Sequence, residues 1–150
     1  MDKLQKFYIN GAWVDPLSTD SMPVMNPATG ARLGTVALGN AADVDRAVAA
    51  ASAAFESFSQ TSKAERLALL RRIKALSEAR LEDMAQAMRE EMGAPITMAR
   101  ELQADAAIGH LQGFIDALEG LEARERLETG DILVREPIGV CGLITPWNWP

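Results

Sequence analysis

Asn148 is the residue whose type and setting point most directly to chemistry. It stands in Pro146-Trp147-Asn148-Trp149-Pro150, just after a nearly continuous apolar run, IGVCGLIT, at 138–145. That run follows Pro137 and contains two glycines, and it reads as a strand buried on both faces of a parallel sheet. In open parallel sheets, ligands bind beyond the carboxyl ends of the strands. A side-chain amide placed there can donate hydrogen bonds to negative charge that develops during a reaction. The residues alone leave a plainer alternative open: a turn asparagine between two packing tryptophans.

Other reactive residue types are sparse. Cys141 is the only cysteine, so no internal disulfide forms, as in a protein of a reducing compartment. An activated thiol needs an accessible, electropositive setting. Placed mid-run between Val140 and Gly142, Cys141 is expected to be a buried structural thiol. His110 is the only histidine, so this chain alone builds neither a histidine metal cluster nor a Ser-His-Asp triad. The sequence has no G-x-G-x-x-G, no G-x-x-x-x-G-K-S/T, no C-x-x-C and no H-E-x-x-H. Met84, Met88 and Met92 recur at helical spacing; a peptide groove and core gap-filling both use such methionines, and gap-filling is the simpler reading.

The elements that must position Asn148 are punctuated clearly. FYINGAWV at 7–14 predicts a hairpin around the tight-turn dipeptide Asn10-Gly11. Residues 16–20 read as a loop, 22–30 as a turn through Asn26-Pro27 to Gly30, and 32–37 as a short strand. Asn40 is placed to cap a first helix, with Asp43 in its first turn. Val44, Ala47, Val48, Ala51, Phe55 and Phe58 make one stripe on that helix. Ser62 and Glu65 form a capping box for a second helix, with a break near Arg80. Gly93 suits a helix end and Pro95 the start of the next. Ala107, Leu111, Phe114, Leu118 and Leu121 predict the buried face of that third helical segment. DILVRE at 131–136 alternates like a strand.

Composition narrows the class. The chain has 150 residues, 48% of them hydrophobic, and a formal net charge of −6. That length is about one domain. An acidic surface with dispersed cations argues against nucleic-acid and membrane-surface binding. The first six residues lack the apolar core of a signal peptide, and no run approaches the ~18 apolar residues of a membrane span, so a cytoplasmic location is expected.

EPIGVCGLITPWNWP at 136–150 resembles the segment that opens the cofactor domain in the aldehyde dehydrogenase superfamily. FYINGAWV, then VMNPATG at 24–30, then D-V-D-x-A-V from Asp43 to Val48, then Ala53-Ala54-Phe55, follow in that family's order and approximate spacing. The resemblance covers essentially the whole chain and, since family members are much longer, identifies it with their amino-terminal portion. It implies an α/β fold. Residues 1–130 would give the hairpin and helices of the cofactor-binding domain. Residues 131–137 would be a small bridging and oligomerisation strand, and 138–150 the first core strand of a doubly wound sheet, cut off at Pro150.

The implied activity is oxidation of an aldehyde to a carboxylic acid with reduction of NAD or NADP, through a cysteine thiohemiacetal. Asn148 matches the family's oxyanion-stabilising asparagine. Ile144, Thr145, Pro146 and Trp147 match the stretch lining the cofactor cleft, without a glycine fingerprint at this strand. Trp149 and Ala106 match substrate-pocket positions. Met25 and Glu91 match a monovalent cation site of some relatives; a solvated helix charge is the plain alternative for Glu91. The catalytic cysteine and the general-base glutamate are expected beyond Pro150. A homodimer or homotetramer is implied for the full-length protein. Two alternatives stand beside this reading: a non-catalytic, truncated or pseudoenzyme-like interaction module, and a relative that passes the acyl group to coenzyme A.

Overall fold

The computed structural model describes residues 5–149; the polar start at 1–4 and Pro150, the last residue of the expected core strand, lie outside the described residues. Strands β1 (Phe7–Ile9) and β2 (Ala12–Val14) form the expected antiparallel hairpin. Asn10 (φ 51°) and Gly11 (φ 77°) both take left-handed backbone, which matches the right-handed twist of the flanking strands. Tyr8 and Trp13 face each other across it, edge to face, with centroids 5.3 Å apart.

β3 (Ser21–Met25) pairs antiparallel with β4 (Arg32–Ala37). The sequence placed 22–30 in a turn; the turn is only 26–30, and its first half is strand. Pro23 hid this, because proline removes a ladder donor, yet in a two-stranded sheet every strand is an edge and tolerates it. Asn26 Oδ1 accepts from the N–H groups of Ala28 (2.9 Å) and Thr29 (3.2 Å) and organises the turn.

Helices α1 (Ala41–Phe58) and α2 (Lys63–Ala79) both open on reciprocal capping boxes, Asn40 with Asp43 and Ser62 with Glu65. α3 (Leu81–Glu91) starts directly after the break at Arg80. Gly93 (φ 78°) ends it. The third helical segment is not one α-helix. A three-residue α4 (Ile96–Met98) passes into a π-helix (Ala99–Ala104) and then into α5 (Asp105–Gly120). α5 packs on α2, and the π-helix packs on α3. Lys63 Nζ, from the start of α2, donates to the carbonyls of Glu119 (3.0 Å) and Leu121 (2.9 Å) at the end of α5.

The main core cluster is small and alanine-rich: Ala85, Met88, Ala94, Ala99 and Ala104, with Leu81, Met84, Met92 and Ile96 packed around it. Met84 and Met88 of α3 and Met92 just after it therefore fill gaps in the core. The predicted α5 face holds at Ala107, Leu111 and Leu118, which are half-buried, and fails at Phe114 and Leu121, which are exposed. Ile115 is buried at 3% exposure, while Phe114 is 66% exposed. Leu111, Ile115 and Leu118 hold the correct 4-then-3 spacing toward α2.

The expected strand at 131–137 forms as β6 (Ile132–Val134), paired with β5 (Arg124–Arg126). The all-charged β5, Arg-Glu-Arg, has no apolar alternation by which sequence could show it. Residues 138–145 form no strand. Ile138, Leu143 and Ile144 are almost fully exposed, and Cys141 is exposed rather than buried. A strand needs a partner for its N–H and C=O groups, and no parallel pairing occurs among the described residues. No helix among the described residues is long and apolar enough to cross a membrane.

Candidate functional site

The segment carrying Asn148 hangs on the end of the β5–β6 hairpin. The hairpin strand ends at Val134, Pro137 follows three residues on, the run at 138–146 has no regular structure, and Trp147 and Asn148 form a bend. Asn148 is exposed, as is every residue from 140 to 149. Ile144 is 97% and Trp147 88% exposed, while Trp149 is partly covered. Thr145 and Pro146 lie exposed between them. Ile144, Thr145, Pro146 and Trp147 thus lie side by side on an open segment, with apolar side chains predominating. They bring no cation toward a pyrophosphate. Cys141 Sγ is turned to Gly139 O, at 3.7 Å within its own segment.

Ala106 sits in the first turn of α5, half-buried. Gly109 and Gly113 follow one and two turns on, and a Cβ on either would meet nothing within 4 Å. This face of α5 is open. Met25 lies at the β-bulge that ends β3, and Glu91 is the last residue of α3. The structure brings these two elements together through Pro27 and Gly93: a Cβ on Gly93 would lie 2.7 Å from Pro27 Cγ. Glu91 is exposed, and among the described residues no three His, Cys, Asp or Glu side chains gather as a metal cluster.

Sequence reasoning missed two carboxylate junctions. From sequence Asp43 is a first-turn acid only. Its carboxylate is buried and also accepts from the N–H groups of Leu17 (2.7 Å) and Ser18 (3.2 Å), besides Asn40 (3.1 Å). The Leu17 N–H is the foremost cause holding its carboxyl below the usual aspartate value. Glu82, in the first turn of α3, takes a forked pair of bonds from Arg100 in the π-helix, at 2.8 and 3.0 Å, and one from Gln86 at 2.6 Å. The Arg100 hydrogen bonds chiefly lower its carboxyl to about 2. Both junctions span 18 residues or more, so no local spacing announces them.

A notch of about 640 Å³ lies between Lys6, Asp15, Ser18 and Asp20, and none of residues 106 or 144–149 lines it. Lys6 and Asp15 pair across it at 2.7 Å. It has the polar lining of a solvent-filled groove and stands apart from the Asn148 segment.

Comparison with known proteins gives this geometry its context. The chain is 46% identical over its whole length to a 3-succinoylsemialdehyde-pyridine dehydrogenase from Pseudomonas sp, covering 31% of that protein. It is 46% identical, over 97% of its length, to a putative aldehyde dehydrogenase from Staphylococcus aureus (strain bovine RF122 / ET3-1), covering 30% of it. Among solved structures, a mutant of aldehyde dehydrogenase C from Pseudomonas syringae in complex with NAD+ and octanal superposes with a TM-score of 0.94 at 50% identity, over 99% of this chain and 30% of that one. An aldehyde dehydrogenase from Mycobacterium tuberculosis in complex with NAD+ superposes with a TM-score of 0.80 at 32% identity, over 89% of this chain and 29% of that one. The chain thus spans under a third of the length of these relatives. The model of the aldehyde dehydrogenase family matches residues 13–150, and the chain belongs to that family.

Proposed function

We propose that this chain is the amino-terminal part of a cytoplasmic oxidoreductase that converts an aldehyde to a carboxylic acid. The observation that carries the reading is the near-complete superposition on aldehyde dehydrogenase C, whose structure holds NAD+ and octanal. Bound NAD or NADP supplies the hydride acceptor. Ile144, Thr145, Pro146 and Trp147 provide backbone and apolar surface beside it. Asn148 donates its side-chain N–H to the oxygen of the aldehyde after a cysteine elsewhere in the protein has attacked the carbonyl carbon. That donor strengthens as charge gathers on the oxygen, so it favours the transition state over the bound substrate. Trp149 and Ala106 border the aldehyde, and the carbonyl of Met25 with the Glu91 carboxylate takes a monovalent cation.

In the same reading, residues 1–130 frame the cofactor domain. Residues 131–137 bridge subunits of a homodimer or homotetramer, and 138–150 becomes the first core strand once neighbouring strands pair with it. The test is reduction of NAD+ and NADP+ by the full-length protein with octanal, with and without coenzyme A. Octanoate as product supports the reading, and octanoyl-CoA assigns the acyl-transferring relative. A folded protein without nicotinamide reduction on any aldehyde sinks the oxidoreductase reading and leaves the interaction module.

A further inference from the structure

The helical stretch from Ile96 to Gly120 carries two unfavourable features in one place. The first is the π-helix at Ala99–Ala104, a conformation rare in proteins and frequent at functional sites. The second is Gln103, which is 2% exposed and whose Oε1 has no hydrogen-bond partner among the described residues. Its Nε2 reaches only the weak acceptor Met92 Sδ, at 4.0 Å. A wide helical turn and an orphaned buried carbonyl both oppose folding. A plain α-helix would avoid the first, so something must hold this turn.

Two contacts do so. Ala99 and Ala104, both fully buried, seat the turn in the cluster containing Ala85 and Met88 of α3. Arg100 then locks it through the forked pair to Glu82, itself steadied by Gln86. A fork of this kind fixes orientation as well as distance. That orientation is inherited by the rest of the helix. Each residue advances an α-helix by about 100°, so one residue added by a π turn rotates all later side chains by about that angle. In the observed phase, Ile115 faces α2 while Gly109 and Gly113 face open space, with Ala106 at the start of the same helix.

We propose that Glu82 and Arg100 are positioning residues for the aldehyde route: their ion pair holds the π turn, and the π turn sets which face of α5 presents Ala106. The proposal rests on the proposed function, in which α5 borders the aldehyde. Neither residue touches substrate. Their effect passes through the phase of α5 and falls on aldehydes long enough to run along it.

The experiment uses the full-length enzyme with propanal and octanal, and compares Glu82→Gln, Arg100→Gln, Arg100→Lys and Ala106→Phe. Glu82→Gln and Arg100→Gln should each raise the KM for octanal relative to propanal by about 10-fold or more, since even a misplacement of about 1 Å can cost about 10²-fold. NAD+ affinity should hold, and amide hydrogen exchange over 99–106 should accelerate. Arg100→Lys, which keeps charge but loses the fork, should fall between wild type and Arg100→Gln. The exchanged pair, Glu82→Arg with Arg100→Glu, should recover much of the octanal KM. If Ala106→Phe changes the octanal-to-propanal ratio while Glu82→Gln and Arg100→Gln do not, the clamp has no positioning role. If Ala106→Phe leaves that ratio unchanged, α5 does not border the aldehyde, and the proposal falls with that reading. Equal loss for both aldehydes together with weakened NAD+ binding in Glu82→Gln and Arg100→Gln would make the pair merely structural and overturn it too.

Discussion

Pro27 and Gly93 are the point where the β3–β4 turn rests on the end of α3, with 2.7 Å between Pro27 Cγ and the place a Gly93 Cβ would occupy. Gly93 also has φ 78°, a left-handed conformation that side chains disfavour. Gly93→Ala therefore meets a backbone penalty and a collision at once. In the full-length protein it should lose about 1 kcal/mol or more of stability in urea unfolding. An unchanged midpoint would mean the turn slides away from α3 without cost.

Asp43 makes stability depend on pH. Its folded-state pKa lies below the ordinary 3.8, so its contribution is complete above that value and disappears as pH falls through the folded one. Asp43→Asn should lower Tm at pH 7, because one amide oxygen cannot serve Leu17, Ser18 and Asn40 together. The gap between variant and wild type should close as pH falls below about 4. Thermal melts across that range decide it; a gap constant at every pH would mean the carboxylate's charge is irrelevant.

Met88 is the buried methionine of α3, whereas Met22 is an exposed edge residue of β3. Met88→Ala should cost about 2–3 kcal/mol, the lower end for a core Met truncation beside small neighbours that can close in. Met22→Ala should stay within about 0.5 kcal/mol. Comparable losses at both sites would mean Met22 is covered in the full-length protein.

Asn148→Ala in the full-length enzyme should lower kcat by about 10²–10³-fold while leaving NAD+ affinity intact, as for removal of a single oxyanion donor. Stopped-flow hydride transfer and NAD+ titration separate the two quantities. Parallel loss of both would point to a collapsed segment at 144–149 instead of a lost donor.

What the sequence made legible was local. Asn40 with Asp43 and Ser62 with Glu65 announce helix starts because a capping box closes within three residues. Asn10-Gly11 announces a hairpin for the same reason. The π-helix stayed hidden because Ala99 to Ala104 has ordinary helix formers, and the groups it meets lie back in α3, at Glu82, Ala85 and Met88. Periodicity put Phe114 inside and left out Ile115, since a stripe gives spacing but not which neighbour it faces. At the site, Asn148 stands out through the resemblance alone, since it lies in a segment exposed from 140 to 149. Ile138 to Thr145 has the composition of a core strand and lacks one here, because a strand is a property of a pair.

The tie from Lys63 to the carbonyls of Glu119 and Leu121 spans 56 and 58 residues, whereas each hairpin and each capping box joins near neighbours. Short loops close early and long ones late, since the entropy of closure must be met before a distant contact returns anything. This part of the chain would therefore assemble in two beats. Hairpins and helices form first, each from its own local signals. The docking of α5 on α2 comes second, as a single slower event, and the lysine that caps α5 marks the moment it is complete.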